Sequence, residues 1–482
     1  MIELTQLCLY RYQNLVLRNI SFCISQGEHV VISGRNGVGK TSLLDAIKGR
    51  LPLRKGRITF NIDLEPDETI FDWKRKYIQS VSFADSNRLF LNKERYYQQR
   101  FHAFDSDDIS VSEYLASLGF ESSNSEHLRL IHRFNIAQLL PVSRVKLSSG
   151  QTRRLLIITA LLAEPKLLLL DNPYVGLDES NRHLLNQLLD EISQSTEITI
   201  ILAGFYTSLP SCVRSEIILN STGAIKGEPK SEMIAERPEN RPSIDPIIID
   251  YFRDTDHWPM FQTCLSLDQI SIGYPDKQIL KDFSLHINKG EKWTILGENG
   301  AGKSTLIGLI SADHPQAYTN DIILFDQSRG TIQNIWDVKE KIGFLSSELH
   351  AYFHDPEWTC YDIVRQGYYV SMYARRTLSA TEEGIIEAVF RYFNKSALRS
   401  QKYSQCSTGE QRIVLFMRAI IKNPPMLLLD EPFQCLDSEM ALRAKFLLES
   451  ILTKDHSMIF ITHYQHEIPS IMTHDFELKT IE

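Results

Sequence analysis

The stretch Gly34-Arg35-Asn36-Gly37-Val38-Gly39-Lys40-Thr41 decides the fold of this chain, and the second half repeats it as Gly297-Glu298-Asn299-Gly300-Ala301-Gly302-Lys303-Ser304. Both stretches have the spacing Gly-x-x-x-x-Gly-Lys-Ser/Thr. Glycines in such a loop allow consecutive backbone N–H groups to converge on phosphate oxygens, while the lysine adds a positive charge and the last hydroxyl binds magnesium. A single match could be an ordinary glycine-rich turn, but two matches in one chain indicate two phosphate-binding loops.

The residues around each loop predict an α/β fold. An apolar stretch that favours a helix follows each loop, at 42–47 and at 305–310. Continuous apolar or β-branched runs at 167–170 and 198–202 have the composition of buried parallel strands. A strand, a glycine-rich loop and a helix in this order are the context that the phosphate-loop motif requires.

The chain is an internal repeat. The two phosphate loops begin 263 residues apart, whereas Asp171 and Asp430, like Gly150 and Gly409, are 259 residues apart. The difference predicts an inserted, variable helical segment between each loop and the later glycine. A period of this length indicates duplicated domains rather than a solenoid of short units. We predict domains at 1–221 and 259–482, joined by a polar, proline-bearing linker at 222–258.

Composition limits the class of protein. The chain has 482 residues, 43% of them hydrophobic, which is enough for two or three domains with full cores. Its seven scattered cysteines predict a reducing compartment, and its first residues lack the pattern of a signal peptide. No stretch approaches the roughly 20 apolar residues that span a bilayer. The net charge of −8 argues against a large nucleic-acid surface.

Side chains that follow the apolar runs differ between the halves. Asp171 and Asp430 end these runs, at the position from which a carboxylate holds the magnesium shell of a nucleotide. Glu431 follows Asp430 and could act as a general base that polarises an attacking water. Asn172 follows Asp171 and has no acidic proton acceptor. This difference predicts two nucleotide sites with different activities.

Together these features resemble the ABC-type ATPases. Small polar segments precede the aspartates, at 147–151 (Leu-Ser-Ser-Gly-Gln) and 406–410 (Cys-Ser-Thr-Gly-Glu), and loops ending in Leu-Asp follow them, at 175–178 and 434–437. Phosphate loop, signature segment, aspartate strand and D-loop have the order of that family in both halves. The resemblance covers nearly the whole chain. It implies two P-loop NTPase domains of ABC type, each with a parallel-sheet core and an inserted helical subdomain.

The resemblance also implies a set of site residues. Glu431 is the expected catalytic base, and His463 is the expected switch histidine, whose place in the first half is taken by Gly204. Magnesium is expected at Thr41 with Asp171, and at Ser304 with Asp430. The residues expected to contact nucleotide are Gly34, Asn36, Gly37, Gly39, Lys40, Thr41, Ser42, Ser148, Ser149 and Gly150 in the first half, and Tyr274, Gly297, Asn299, Gly300, Gly302, Lys303, Ser304, Thr305, Ser407 and Gly409 in the second.

In that family two nucleotide-binding domains close head to tail, so each ATP lies between one phosphate loop and the opposite signature segment. The resemblance implies that the second loop, with Glu431, is completed by segment 148–150 and hydrolyses ATP. The first loop, with Asn172, is completed by Ser407 and Gly409, and is expected to bind ATP but to cleave it slowly. The halves are expected to close on each other, with closure on a second chain as the alternative.

One feature of the family is missing from both halves, and another is unassigned in the first half. Its Q-loop glutamine normally links magnesium and water to the helical subdomain, but the corresponding segments at 82–85 and 343–348 contain no glutamine. Adenine usually stacks on an aromatic ring ahead of the phosphate loop, and Tyr274 has that position in the second half. The equivalent residue in the first half is Arg11, flanked by Tyr10 and Tyr12, so the adenine contact there is unassigned.

Several short stretches between residues 314 and 343 resemble one group within the family, the ModF or photorepair-protein group of tandem ABC ATPases. That group is associated with molybdate transport, and its second half also tends to lack the Q-loop glutamine. No residue of the present chain can be assigned to the oxyanion. The link to molybdate is therefore an implication of the resemblance alone.

The resemblance implies a subunit that binds and hydrolyses ATP with Mg²⁺ and energises a separate membrane permease, for molybdate or a related anion. The expected location is the cytoplasm or, through the permease, the inner face of a membrane. One alternative is a soluble remodelling factor that acts on ribosomes or nucleic acid, although such tandem proteins usually have a longer charged linker and two catalytic glutamates. Another alternative is a regulatory nucleotide sensor.

Overall fold

The computed structural model describes residues 2–11, 14–62, 64–82, 109–144, 147, 149–206, 208–220, 222–229, 242–274, 277–297, 300–328, 335–352, 357–369 and 376–479. Within these ranges the chain forms two compact units, one from the described residues up to 229 and the other from 242 onward. None of the helices in these ranges is long and apolar enough to cross a membrane.

The described part of the first unit contains two sheets. An antiparallel sheet is formed by β1 (Ile2–Arg11), β2 (Asn14–Ile24) and β4 (Lys55–Phe60). The other strands are β3 (His29–Ser33), β5 (Ile78–Ser82), β6 (Leu167–Asp171), β7 (Thr199–Ala203), β8 (Val213–Asn220) and β9 (Gly223–Gly227). They have the order β5-β6-β7-β3-β8-β9, and β9 is antiparallel to β8 while the other neighbours are parallel.

The helices of the first unit cover this parallel sheet. They are α1 (Lys40–Lys48), α2 (Ile70–Tyr77), α3 (Val111–Ser117), α4 (Ser125–Arg133), α5 (Ser149–Leu161) and α6 (Glu179–Ser195). Strands β6 and β7 are buried along their whole length, which confirms the two parallel strands expected from their continuous apolar runs. Helices α3 and α4 lie between β5 and β6 in the chain, where the inserted helical segment was predicted.

The second unit repeats this plan. In its described part, β10 (Thr263–Tyr274), β11 (Lys277–Asn288), β13 (Ile322–Leu324) and β14 (Gln327–Ser328) form an antiparallel sheet in the order β11-β10-β13-β14. A parallel sheet contains β12 (Lys292–Leu296), β15 (Ile342–Leu345), β16 (Met426–Asp430), β17 (Ser457–Ile461) and β18 (His474–Glu477). Its order is β15-β16-β17-β12-β18.

Helices of the second unit again flank the parallel sheet and form a helical layer between β15 and β16. Apolar residues of that layer and of the sheet share one buried cluster, which includes Ile363, Val389 and Phe416. The helices are α7 (Pro246–Arg253), α8 (Lys303–Ile310), α9 (Ile335–Lys341), α10 (Ser347–Tyr352), α11 (Cys360–Arg365), α12 (Ala380–Tyr392), α13 (Thr408–Ile420) and α14 (Ser438–Ile451).

The segment predicted as a linker, 222–258, contains two ordered elements. β9 pairs with β8 and extends the first parallel sheet. Helix α7 buries Ile248 and Phe252 in the helical cluster of the second unit. Tyr251 of the same helix also packs against this cluster, so a short apolar stretch within the polar segment belongs to the core of the second unit. The exact domain boundaries remain a prediction.

Candidate functional site

The second phosphate loop joins β12 to α8, as its motif requires. Gly302 begins the helix from the left-handed region, with φ at 99°. Gly297 has φ at 154°, and a Cβ there would lie 2.6 Å from the carbonyl oxygen of Leu478. A side chain therefore cannot be placed at either position without strain. Lys303, in the first turn of α8, donates from Nζ to the carbonyl oxygen of Gly297. Glu298 and Asn299 lie outside the described residues.

The first phosphate loop has the same geometry between β3 and α1. Gly39 begins α1 with φ at 108°, and Gly34 has φ at 138°. Lys40 donates from Nζ to the carbonyl oxygens of Gly34, at 2.6 Å, and Arg35, at 3.0 Å. Both loops thus hold a nearly buried lysine against a glycine-rich backbone. A helix N-terminus combined with such a loop is suited to bind the phosphates of a nucleotide.

The residues expected to bind magnesium meet in the first unit. The hydroxyl of Thr41 donates to Oδ2 of Asp171 at 2.6 Å, which brings the start of α1 to the end of β6. Burial raises the pKa of Asp171 to about 6, despite the hydrogen bond from Thr41 and the charge of Lys40. A hydroxyl and a carboxylate are hard oxygen ligands, which suit Mg²⁺ together with phosphate oxygens and water. Ser304, in the first turn of α8, and Asp430, at the end of β16, occupy the corresponding positions in the second unit.

The groups expected to carry catalysis form a compact cluster in the second unit. Nε2 of His463 lies 2.9 Å from Oε1 of Glu431 and 3.3 Å from Nζ of Lys303. Burial raises the pKa of Glu431, but the hydrogen bond with His463 and the charges of His463, Lys303 and Arg412 outweigh it and hold the pKa below its usual range. Glu431 is therefore an ionised carboxylate at neutral pH, as a proton acceptor must be.

The equivalent place in the first unit is built differently. Asn172 donates from Nδ2 to Oδ1 of Asp171 at 2.9 Å. Gly204 stands where the second unit has His463, and a Cβ at Gly204 would lie 2.6 Å from Oδ1 of Asn172. No side chain fits between them without a shift. The carboxamide thus neighbours the aspartate, and among the described residues around it no side chain corresponds to His463.

The backbones of these two positions are nevertheless alike. Glu431 has φ at 44° and Asn172 has φ at 53°, both in the left-handed region. Each donates its N–H to the last residue of the neighbouring strand, Glu431 to Ile461 at 2.8 Å and Asn172 to Ala203 at 2.6 Å. The difference between the halves therefore lies in the side chains and not in the course of the chain.

Both signature segments lie at the beginning of a helix. Ser407 caps α13 by accepting from the N–H of Glu410, whose carboxylate accepts from the N–H of Ser407. Gly409 is buried in the first turn of that helix. In the first unit α5 begins at Ser149, and Gly150 follows it. Ser148 and the side chain of Ser149 lie outside the described residues. The pairing of each segment with the opposite phosphate loop stays a prediction.

The adenine contacts also stay predictions. Tyr274 ends β10, and its side chain lies outside the described residues. In the first unit the guanidinium of Arg54 lies over the ring of Tyr10, 5.2 Å from its centre. Tyr12 lies outside the described residues, so the structure does not choose among the three candidates at 10–12.

Arg412 is a site residue that sequence reasoning missed. It lies in α13 with none of its surface exposed. One guanidinium nitrogen donates to the carbonyl oxygen of Ser346 at 2.7 Å, and another donates to the carbonyl oxygens of Asp430 at 2.7 Å and Glu431 at 2.6 Å. Arg153 occupies the equivalent position in the first half, so the repeat itself could have revealed this residue.

Comparisons with known proteins agree with the geometry. The family model described as "ABC transporter" matches residues 17–175 and again 280–434. An ABC transporter ATP-binding protein of Schizosaccharomyces pombe is 28% identical, with 94% of this chain and 93% of the relative covered. The ABC transporter ATP-binding protein ModF of Escherichia coli is also 28% identical, with 94% and 92% covered.

Solved structures of tandem proteins share the fold. The archaeal ribosome recycling factor aABCE1, in complex with the ribosomal stalk protein aP1, matches with a TM-score of 0.53 at 17% identity, covering 98% of this chain and 87% of that chain. This likeness concerns the fold alone. Two matches to one family model cover most of the chain, each containing a phosphate loop and an aspartate strand. The chain therefore belongs to the ABC transporter family of ATP-binding proteins, and it contains two ABC ATPase domains.

Proposed function

We propose that the protein hydrolyses ATP with Mg²⁺ at the site of the second unit, and that the first unit binds ATP but cleaves it slowly. The observation that carries this proposal is the contact of Glu431 with His463 beside Lys303. An ionised carboxylate in this place can accept a proton from an attacking water, and the contact with the histidine and the charge of the lysine stabilise it. The carboxamide of Asn172 is not basic enough for this step.

Substitution of Glu431 and Asn172 tests the asymmetry of the sites. We expect Glu431→Gln to lower ATP turnover by about 10²–10⁴-fold, because a carboxamide cannot accept the proton. The substitution keeps the size of the side chain, so ATP binding should be preserved. Phosphate release at saturating ATP measures turnover, and titration with a fluorescent ATP analogue measures binding.

Asn172→Ala is the matched control at the equivalent position of the first unit. It removes the hydrogen bond to Asp171 but no group that could act as a base, so turnover should change little. Equal losses of turnover in the two variants would contradict the proposal that hydrolysis is confined to the second unit.

We further propose that hydrolysis energises a separate membrane permease. The family to which the chain belongs and the names of both relatives, which are ABC transporter ATP-binding proteins, support this proposal. Resemblance to the ModF group makes a permease for molybdate or a related anion the first candidate.

Affinity capture tests the partner. Glu431→Gln protein should retain bound ATP, which favours recovery of complexes that form only in the ATP state. We expect a permease in the eluate from membrane fractions when ATP and Mg²⁺ are present, and its loss when they are omitted. Ribosomes or nucleic acid in the eluate from soluble fractions would instead favour a remodelling factor. Recovery of neither, together with turnover that no added fraction stimulates, would favour a nucleotide sensor.

A further inference from the structure

Gln434 connects the ATP site of the second unit to its helical layer. It lies in the loop between β16 and α14 and is partly exposed. Its Nε2 donates to Oε2 of Glu431 at 2.7 Å, and its Oε1 accepts from the hydroxyl of Ser347 at 3.0 Å. Ser347 is the first residue of α10. A single side chain therefore joins the carboxylate of Glu431 to the start of this helix.

The chemistry of the three groups fixes the direction of both bonds. An ionised carboxylate only accepts hydrogen bonds, so the amide nitrogen of Gln434 must face Glu431. The carbonyl end of the amide then accepts from the hydroxyl of Ser347. With His463 at Oε1 and Gln434 at Oε2, both oxygens of Glu431 have a partner. The plane of the carboxylate is thereby fixed from two sides.

A second connection follows the same route through the backbone. Arg412 joins the carbonyl oxygen of Ser346 to those of Asp430 and Glu431. The Arg412 contacts hold the main chain of the two segments together. They leave the side chain of Glu431 free to rotate, so that Gln434 and His463 are the described partners that set its orientation.

The first half provides an internal comparison. Val175 occupies the position equivalent to Gln434, 259 residues earlier, and an alkyl side chain makes no hydrogen bond. Arg153 matches Arg412 at the same spacing. The arginine thus occurs in both halves, whereas the glutamine occurs only in the half that has Glu431.

We propose that Gln434 is a positioning residue of the ATP site, which orients the carboxylate of Glu431 and makes that orientation depend on the position of Ser347 and α10. The inference rests on the proposed function, in which Glu431 acts on the attacking water. A shift of α10 would break the Ser347 bond, release the amide and let the carboxylate rotate away from the water. Hydrolysis would then respond to the helical layer while ATP binding, which depends on the phosphate loop, would not.

A double-mutant cycle tests the connection. Gln434→Leu removes both bonds, and Ser347→Ala removes only the outer one. We expect kcat to fall on the order of 10-fold for Gln434→Leu, which corresponds to the loss of about one hydrogen bond to a charged group, with less loss for Ser347→Ala. The double variant should be no slower than Gln434→Leu alone, and KM for ATP should be unchanged in all three.

A pH profile separates positioning from a general loss of packing. Gln434→Glu puts a second carboxylate against Glu431, and a like charge disfavours ionisation. The acid limb of kcat should move to higher pH in this variant, whereas Gln434→Leu should lower kcat without moving it upward. Val175→Ala, at the matched position of the first half, should leave turnover and thermal unfolding unchanged.

The outcomes distinguish the inference from the function on which it rests. If Glu431→Gln keeps normal turnover, the proposed base is wrong and the inference fails with it. If Glu431→Gln abolishes turnover but the losses of Gln434→Leu and Ser347→Ala add, or Gln434→Leu turns over normally, only the inference is overturned. Thermal unfolding and ATP binding of each variant show whether a loss of turnover reflects a loss of fold.

Discussion

At the scale of single residues, the two halves differ in a pair of side chains while the backbone conformation at 172 and 431 is the same. Glu431 occurs with His463, and Asn172 occurs with Gly204. A non-glycine residue in the left-handed region costs roughly 1–3 kcal/mol and is retained where the surroundings impose it. Both halves retain this conformation at 172 and 431. Restoring a glutamate at 172 alone would therefore not restore the site, since Gly204 supplies no partner for it.

We expect Asp171 to make nucleotide binding at the first site depend on pH. The pKa of Asp171 is raised to about 6 by burial, and a protonated carboxyl does not bind Mg²⁺. We expect the Mg²⁺-dependent affinity of the first site for ATP to fall as the pH decreases through about 6. The measurement is titration of a Lys303→Ala variant, in which the second phosphate loop is weakened, with a fluorescent ATP analogue across this range.

The raised pKa also sets the sign of the effect on stability. Between the ordinary pKa of 3.8 and about 6, the folded protein holds a proton on Asp171 that the unfolded chain has lost. The contribution of this carboxyl to the free energy of unfolding therefore decreases as the pH rises through that window.

The control for the affinity measurement is Asp171→Asn in the same Lys303→Ala background, because an amide does not titrate. If both proteins show the same pH dependence of ATP affinity, that dependence comes from titration of the nucleotide and not of Asp171.

At the scale of helices and strands, one buried arginine joins a helix to the ends of two strands. Arg412 in α13 bonds the backbone at the end of β15 and at the end of β16. Its substitution would leave three carbonyl oxygens without this donor. We expect Arg412→Met to lower the free energy of unfolding of the second unit by about 3 kcal/mol. Urea unfolding can be followed by tryptophan fluorescence, since four of the five tryptophans lie in that unit.

Lys402→Met is the control for this substitution. It breaks an ion pair with Glu357 in the same unit, at 2.9 Å, in which the side chains are 44% and 76% exposed. Exposed pairs contribute little because water screens them and two long side chains must be ordered. If Lys402→Met lowers the free energy of unfolding as much as Arg412→Met does, the cause is the removal of a positive charge and not the loss of the backbone contacts.

At the scale of the whole molecule, the chain consists of two units with one plan. Each contains an antiparallel sheet, a parallel sheet with the phosphate loop at the end of a central strand, and a helical layer between corresponding strands. Parallel sheets with helices on their faces bind ligands at the carboxyl ends of the strands. The four residues that differ between the proposed sites, Glu431 and His463 in the second unit and Asn172 and Gly204 in the first, lie at that edge. The two units therefore share one framework and differ in the side chains at this edge.

The local sequence determined the phosphate loops, the buried strands, the repeat and the contrast between Glu431 and Asn172, because each depends on residue type and spacing within a few positions. The roles of Arg412 and Gln434 were not predictable in this way. Arg412 lies 66 residues from Ser346, and Ser347 lies 87 residues from Gln434. A polar residue in a helix or loop has the same local pattern whether it faces water or a distant carbonyl oxygen. Only the tertiary structure decided these contacts, because the packing of the helical layer on the parallel sheet brings α10, α13 and the end of β16 within hydrogen-bonding distance.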